Sequence, residues 1–251
     1  MRNFRIILFT LLSVCSLTVR GASDLNSVLE RGRDLFGYGR WSDARHEFLR
    51  ARALLDPADR AAREEIDYYL AACAVELGSD DAEGALRDFE RRHPGSVYAN
   101  DVRFSLGSYY CAVGNMPLAR EAFERTEYKA LSAPRREQYD IRMGYVEFTQ
   151  GDYAAAYDRF SRIGSRSEYA DHALYYRSYI DYAEGRYDRA KDGFTQLTRS
   201  DAYRDLVPFY LLQIEFRNGN YRYVVDHGEE LVRKAVPERQ AELERVIAES
   251  W

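Results

Sequence analysis

The chain has 251 residues, enough for one or two compact domains, and its 46% hydrophobic and 31% charged residues with only 6 Pro are the balance of an ordered helical protein. That composition excludes a disordered chain. The formal charge of −5 makes nucleic acid a poor match as a partner, because its phosphates demand a basic footprint.

The first two dozen residues differ from all that follow. Met1-Arg-Asn-Phe-Arg5 is basic, and residues 6–19 form an apolar run broken only by small hydroxylated residues. This is the layout of a secretory signal over residues 1–23, with cleavage near residues 21–23. At about 14 residues the run falls short of the roughly 20 that a membrane-spanning helix needs, so no integral span is expected in the mature chain. Cys15 raises lipidation as another processing route, but the preceding Val14 is larger than the small residue such signals carry. Removal of residues 1–23 takes away three arginines and no acidic group, moving the formal charge from −5 to −8. The remaining thiols, Cys73 and Cys111, read as buried cysteines.

From residue 24 onward a glycine recurs between an apolar helix (A) and a second one (B): Gly39, Gly78, Gly114, Gly151, Gly185 and Gly219, at intervals of 39, 36, 37, 34 and 34 residues. Such a period is the length of one helix-turn-helix repeat, with the glycine closing helix A in a left-handed conformation. Two places on, Trp41, Met116, Tyr153, Tyr187 and Tyr221 begin helix B. Five places after the glycine stands Ala44, Ala119, Ala156 or Ala190, and four further Phe48, Phe123, Phe160 or Phe194, so that small and large side chains share one helix face. In the second repeat the pair reads as Ala85 and Phe89, shifted by two after a longer turn at Ser79-Asp-Asp-Ala82. Seven residues before the turn, Gly32, Gly107 and Gly144 mark a second close approach, relaxed to Ala71, Ser178 and Leu212 elsewhere. The sixth repeat departs from the pattern, with Val224 and Gly228 in place of the small residue and the Phe. After Pro237 a last amphipathic helix, residues 237–251, either caps the array or opens a further repeat.

The words Leu106-Gly-Ser-Tyr-Tyr110, Gly114-Asn-Met-Pro-Leu-Ala119 and Phe123 resemble the tetratricopeptide repeat family, over about residues 25–235. His93-Pro-Gly-Ser96-Val-Tyr-Ala99 is similar to the linker of bacterial envelope repeat proteins of the YbgF and BamD kind. The resemblance implies an all-α, right-handed superhelical solenoid of antiparallel helix pairs over residues 24–236, five to six repeats, whose helix A faces line a concave surface that binds partners. Counted from the glycines, the inward positions are Ile141, Tyr145 and Phe148 in the fourth repeat and Tyr175, Tyr179 and Tyr182 in the fifth. In the sixth they are Phe209 and Phe216, with Tyr68 and Phe104 equivalent in the second and third. The competing reading is that these rings are wedged between repeats. Lys129, Lys191 and Lys234 are the only lysines, so the basic groups are arginines, of which Arg103 and Arg177 stand nearest these positions.

Nothing in the sequence argues for catalysis, a cofactor or a metal. His46-Glu47 lacks a second histidine at the zinc-ligand spacing, and His93, His172 and His227 are scattered. Gly164-Ser-Arg-Ser167 lacks the second glycine of a nucleophile elbow, and Asp80-Asp-Ala-Glu83 lacks the alternate oxygens of a calcium loop. The reading is an exported, non-enzymatic adaptor of the periplasm or outer-membrane face that binds a peptide or protein partner. The alternatives are a structural subunit of an envelope complex or an accessory protein presenting glycans. Partner identity and oligomeric state are open.

Overall fold

A computed structural model describes residues 24–234 and 237–251, with the side chains of 234–238 left aside; the segment read above as an export signal, with Cys15, falls outside the described residues. All regular structure among them is helical. The chain divides into two compact units, meeting in sequence at Leu131 and Ser132. The N-terminal unit holds α1 (residues 24–37), α2 (Trp41–Leu54), α3 (Arg60–Glu76), α4 (Ala82–Arg92), α5 (Ala99–Ala112) and α6 (Met116–Glu124), then a 3-10 turn at Tyr128–Ala130. The C-terminal unit holds α7 (Ala133–Thr149), α8 (Tyr153–Ser161), α9 (Ala170–Ala183), α10 (Tyr187–Leu197), α11 (Val207–Arg217), α12 (Tyr221–Lys234) and α13 (Pro237–Ala248). Odd-numbered helices up to α11 are the A helices, and each packs on the B helix that follows it, α1 on α2 through Leu25, Val28, Leu29 and Gly32 against Ala44 and Phe48.

The six glycines read from the period are the only positive-φ residues described, with φ from +62° to +80°. At Gly151 the cause is visible in the hydrogen bonds. The Gly151 amide donates to the Phe148 carbonyl at 3.0 Å and the Asp152 amide reaches back to the Glu147 carbonyl at 2.9 Å, which satisfies two orphan carbonyls of α7. An L side chain would be strained there. Asp152 then caps α8 by accepting from the Ala155 amide, so one short turn ends one helix and starts the next.

Helix B meets helix A through the alternation of small and large residues. Ala44, Ala119, Ala156, Ala190 and the phenylalanines Phe48, Phe123, Phe160 and Phe194 are all fully buried. The glycine of helix A is what admits the ring. A Cβ on Gly32, Gly107 or Gly144 would come within 2.9, 2.5 and 2.8 Å of Phe48, Phe123 and Phe160. In the fifth repeat the roles are exchanged: Ser178 occupies the helix A position, and Gly193, beside Phe194, is the residue with no room for a Cβ. The second repeat corrects one expectation. Phe89 is fully buried, but Ala82 and Leu86 fill the contact beside it, while Ala85 is only half-buried. The turn after Gly78 is two residues longer than in the third repeat, and α4 buries Ala82, Leu86 and Phe89 in place of Ala85.

The linker serines also have a physical role. Ser96 accepts from the Tyr98 amide (3.0 Å) and donates to the Glu64 carboxylate on α3 (2.6 Å). Ser167 repeats the arrangement with the Tyr169 amide (3.2 Å) and Glu137 (2.8 Å). Ser96→Ala leaves the Glu64 carboxylate without this donor and is expected to cost about 1.5–3 kcal/mol by urea unfolding, as hydrogen bonds to charged groups do. An unchanged midpoint would remove the serine from any part in setting the approach of α5 to α3.

Candidate functional site

In the C-terminal unit the A-helix aromatics form a connected strip. Phe148 on α7 lies 4.9 Å from Tyr176 and 5.3 Å from Tyr179 on α9, measured between ring centres, and Tyr145 lies 5.7 Å from Tyr176. Tyr179 and Tyr182 each approach Tyr210 on α11, at 5.7 and 5.6 Å. Phe209 lies 5.3 Å from Tyr210 and carries the Arg239 guanidinium of α13 over its face at 5.0 Å. Phe216 rests against Tyr221, and Ile141 packs on the α8–α9 core. These neighbours are mostly tilted or edge-on, the arrangement the ring quadrupole prefers.

The rings differ in what they leave open. Tyr145 is the most exposed, at 36%, whereas Ile141, Phe148, Tyr175, Tyr179, Tyr182, Phe209 and Phe216 are half-buried. Tyr175 stacks on Tyr203 at 4.5 Å and shares a hydroxyl contact of 3.2 Å with Tyr210, so it is wedged between successive A helices. Its burial, followed by the Tyr210 hydroxyl, drives its pKa well above the usual tyrosine value; burial and nearby Tyr145 push Tyr176 up to about 12. Burial likewise raises Tyr179 and Tyr182. The strip offers neutral hydroxyls and apolar ring area, a chemistry suited to backbone amides and carbonyls rather than to ionic recognition.

In the N-terminal unit Tyr68 is half-buried and stacked on Tyr98 at 4.2 Å, while Phe104, 4% exposed, points into the interior against Phe123. Phe104 therefore leaves almost no surface for a partner. The arginines singled out are engaged elsewhere: Arg103 pairs with Glu90 at 3.2 Å, and Arg177 covers the Tyr157 ring at 5.3 Å. Of the thiols, Cys73 is fully buried and burial raises its pKa to about 11, whereas Cys111 is half-buried on α5.

Sequence reasoning missed a second aromatic register. Tyr69, Tyr176 and Tyr210 each stand nine residues before a turn glycine, and each stacks face to face on the helix B phenylalanine of the preceding repeat. The pairs are Tyr69 with Phe48 at 4.6 Å, Tyr176 with Phe160 at 5.1 Å and Tyr210 with Phe194 at 4.8 Å, with interplanar angles of 3°, 14° and 9°. The spacing was available as a signal; the neighbouring inward tyrosines masked it.

Helix pairs joined at left-handed glycines, with a small residue and a Phe of helix B interlocked against helix A, define a tetratricopeptide-repeat fold. The chain is similar in fold to a tetratricopeptide repeat protein from Parabacteroides merdae ATCC 43184, at 14% identity over 90% of this chain and 88% of that one, with a TM-score of 0.56. It is also similar to a chain of the APC/C hetero-tetramer Cut9–Hcn1, at 16% identity over 90% of this chain and 42% of that one, with a TM-score of 0.51. No family model and no curated protein matches the sequence.

Proposed function

We propose that the protein is an exported adaptor that binds a peptide or protein partner along the aromatic strip of its C-terminal unit, in the cell envelope. The observation that carries this reading is the linked set of half-open rings on α7, α9 and α11, with Tyr145 at its accessible edge and Tyr179 linking Phe148 to Tyr210. Half-covered tyrosines contribute large apolar area at low entropic cost and a hydroxyl for a partner's backbone, the combination found at binding hot spots. The fold supports a binding role, since stacked repeats present extended surfaces to other chains. Placement in the envelope rests on the basic and then apolar leader read at residues 1–23.

The test replaces Tyr145 and Tyr179 together by Ser in the full mature chain. Tyr175 is left intact because, unlike Tyr179, it stacks face to face on Tyr203 and shares a hydroxyl contact with Tyr210. Bait pull-downs from envelope extracts, followed by titration with the recovered partner, should show affinity reduced tenfold or more, since each ring is worth about 1–2 kcal/mol. Helix content should be unchanged. Recovery of the same partners with equal affinity by both proteins would rule out the strip, and retention of glycans in place of polypeptides would favour the accessory role.

A further inference from the structure

A second site lies in the N-terminal unit, remote in sequence from the aromatic strip. Between the end of α2, the first half of α3 and the end of α4 is a cavity of about 480 Å³. Three guanidinium groups line it, Arg52, Arg63 and Arg92, against one carboxylate, Asp67. The Asp67 side chain is 6% exposed and fully engaged: Arg52 donates to it at 2.9 Å and Arg92 at 2.8 Å, and His93 Nε2 sits 3.0 Å away. It thereby holds two arginines from different helices in fixed orientation, which removes part of the entropy that binding would otherwise cost.

The donors are far from exhausted. A guanidinium carries five N–H groups. Arg52 spends one on Asp67, and Arg63 spends one on the Pro57 carbonyl at 2.8 Å. Arg63 has no carboxylate partner within ion-pair distance among the described residues. Arg92 also touches the Asp88 carbonyl at 3.3 Å and its carboxylate only at 3.9 Å. Arg52 and Arg92 are each 49% exposed at the side chain and line both this cavity and a second one beside Leu49 and Asp88, so their unused donors are open to solvent, and here three guanidinium groups stand against one lining carboxylate. Leu55 and Ile66 supply an apolar wall beside them. The volume falls in the range of small-molecule sites and exceeds what a bare tetrahedral anion fills.

We propose that this cavity binds a small organic oxyanion, its phosphate or carboxylate head held by Arg52, Arg63 and Arg92 and its short apolar body lying against Leu55 and Ile66. Planar guanidinium forks match both heads bidentately, which a lysine does not do.

Isothermal titration of the full mature chain with phenyl phosphate, benzoate and inorganic phosphate tests it. Phenyl phosphate or benzoate is expected to bind at least tenfold more tightly than inorganic phosphate, and the ratio between the two organic probes identifies the head group. Arg63→Ala should weaken the better probe tenfold or more without moving the urea midpoint, because Arg63 ties down only a surface carbonyl, and Arg63→Lys should restore part of the loss. Absence of heat with every probe at millimolar concentration, binding unaffected by Arg63→Ala, or inorganic phosphate binding as tightly as the organic anions would each overturn the assignment.

Discussion

Phe160→Ala is expected to destabilise the protein by about 3–5 kcal/mol, the range for deleting a fully enclosed ring. Phe160 has no exposed surface; a Cβ on Gly144 would come within 2.8 Å of its ring, and Tyr176 is stacked on it at 5.1 Å. Neither neighbour can close the gap. Gly144 has no side chain to move inward, and Tyr176 is held in place by contacts with Tyr145 and Phe148 at 5.7 and 4.9 Å. The lost term is therefore transfer energy plus a nearly unrelaxed cavity. Urea unfolding of the whole chain followed by circular dichroism measures it, and Phe160→Leu, which keeps most of the volume, should lose far less. A loss below about 1 kcal/mol for the alanine variant would mean that the ring is not sandwiched between two A helices.

Gly228→Phe restores the residue that the repeat pattern asks for in the sixth helix B, yet it is expected to destabilise the fold by about 3 kcal/mol, at the upper end of overpacking costs. A Cβ at Gly228 would lie 2.5 Å from Ile247 of α13, with Leu212 of α11 next at 3.8 Å. The space a phenylalanine fills in other repeats is here filled from outside by Ile247 and from helix A by Leu212, which stands where Gly32, Gly107 and Gly144 stand. Val224, fully buried, occupies the position of the small residue with Leu243 and Val246 of α13 against it. The double variant Gly228→Phe, Ile247→Ala should recover most of the loss, because it returns the volume removed. Equal stability of Gly228→Phe and the wild type by thermal melting would show that α13 is not seated in that gap.

Much of this was legible because its causes are local. The six turn glycines, the start of helix B at Trp41, Met116, Tyr153, Tyr187 and Tyr221, and the alanine and phenylalanine four residues apart all follow from backbone conformation and helical period. The irregularities were legible only as departures. Val224 and Gly228 announced that the sixth repeat packs differently, but Ile247 as the replacement lies 19 residues on, in another helix. Ala85 shared the right spacing with Phe89 and still proved half-buried, because Ala82 and Leu86 take the buried places beside that ring. Among the candidate binding residues, spacing placed Tyr145, Phe148, Tyr179 and Tyr182 in one ring network, yet it could not separate Tyr145, open at the edge, from Tyr175, locked on Tyr203, or from Phe104, enclosed with Phe123.

The sequence alone determined that the chain is built of paired helices, where each pair turns and which residues interlock within it, because a glycine at positive φ and an i, i+4 face act within a few residues. Only the tertiary structure decided which aromatic rings stay open and that Arg52, Arg63 and Arg92 converge around Asp67. Exposure and convergence depend on how neighbouring repeats are seated on one another. That seating is a sum of contacts between residues up to 35 apart, such as Tyr175 with Tyr210, and no short window of the chain contains it.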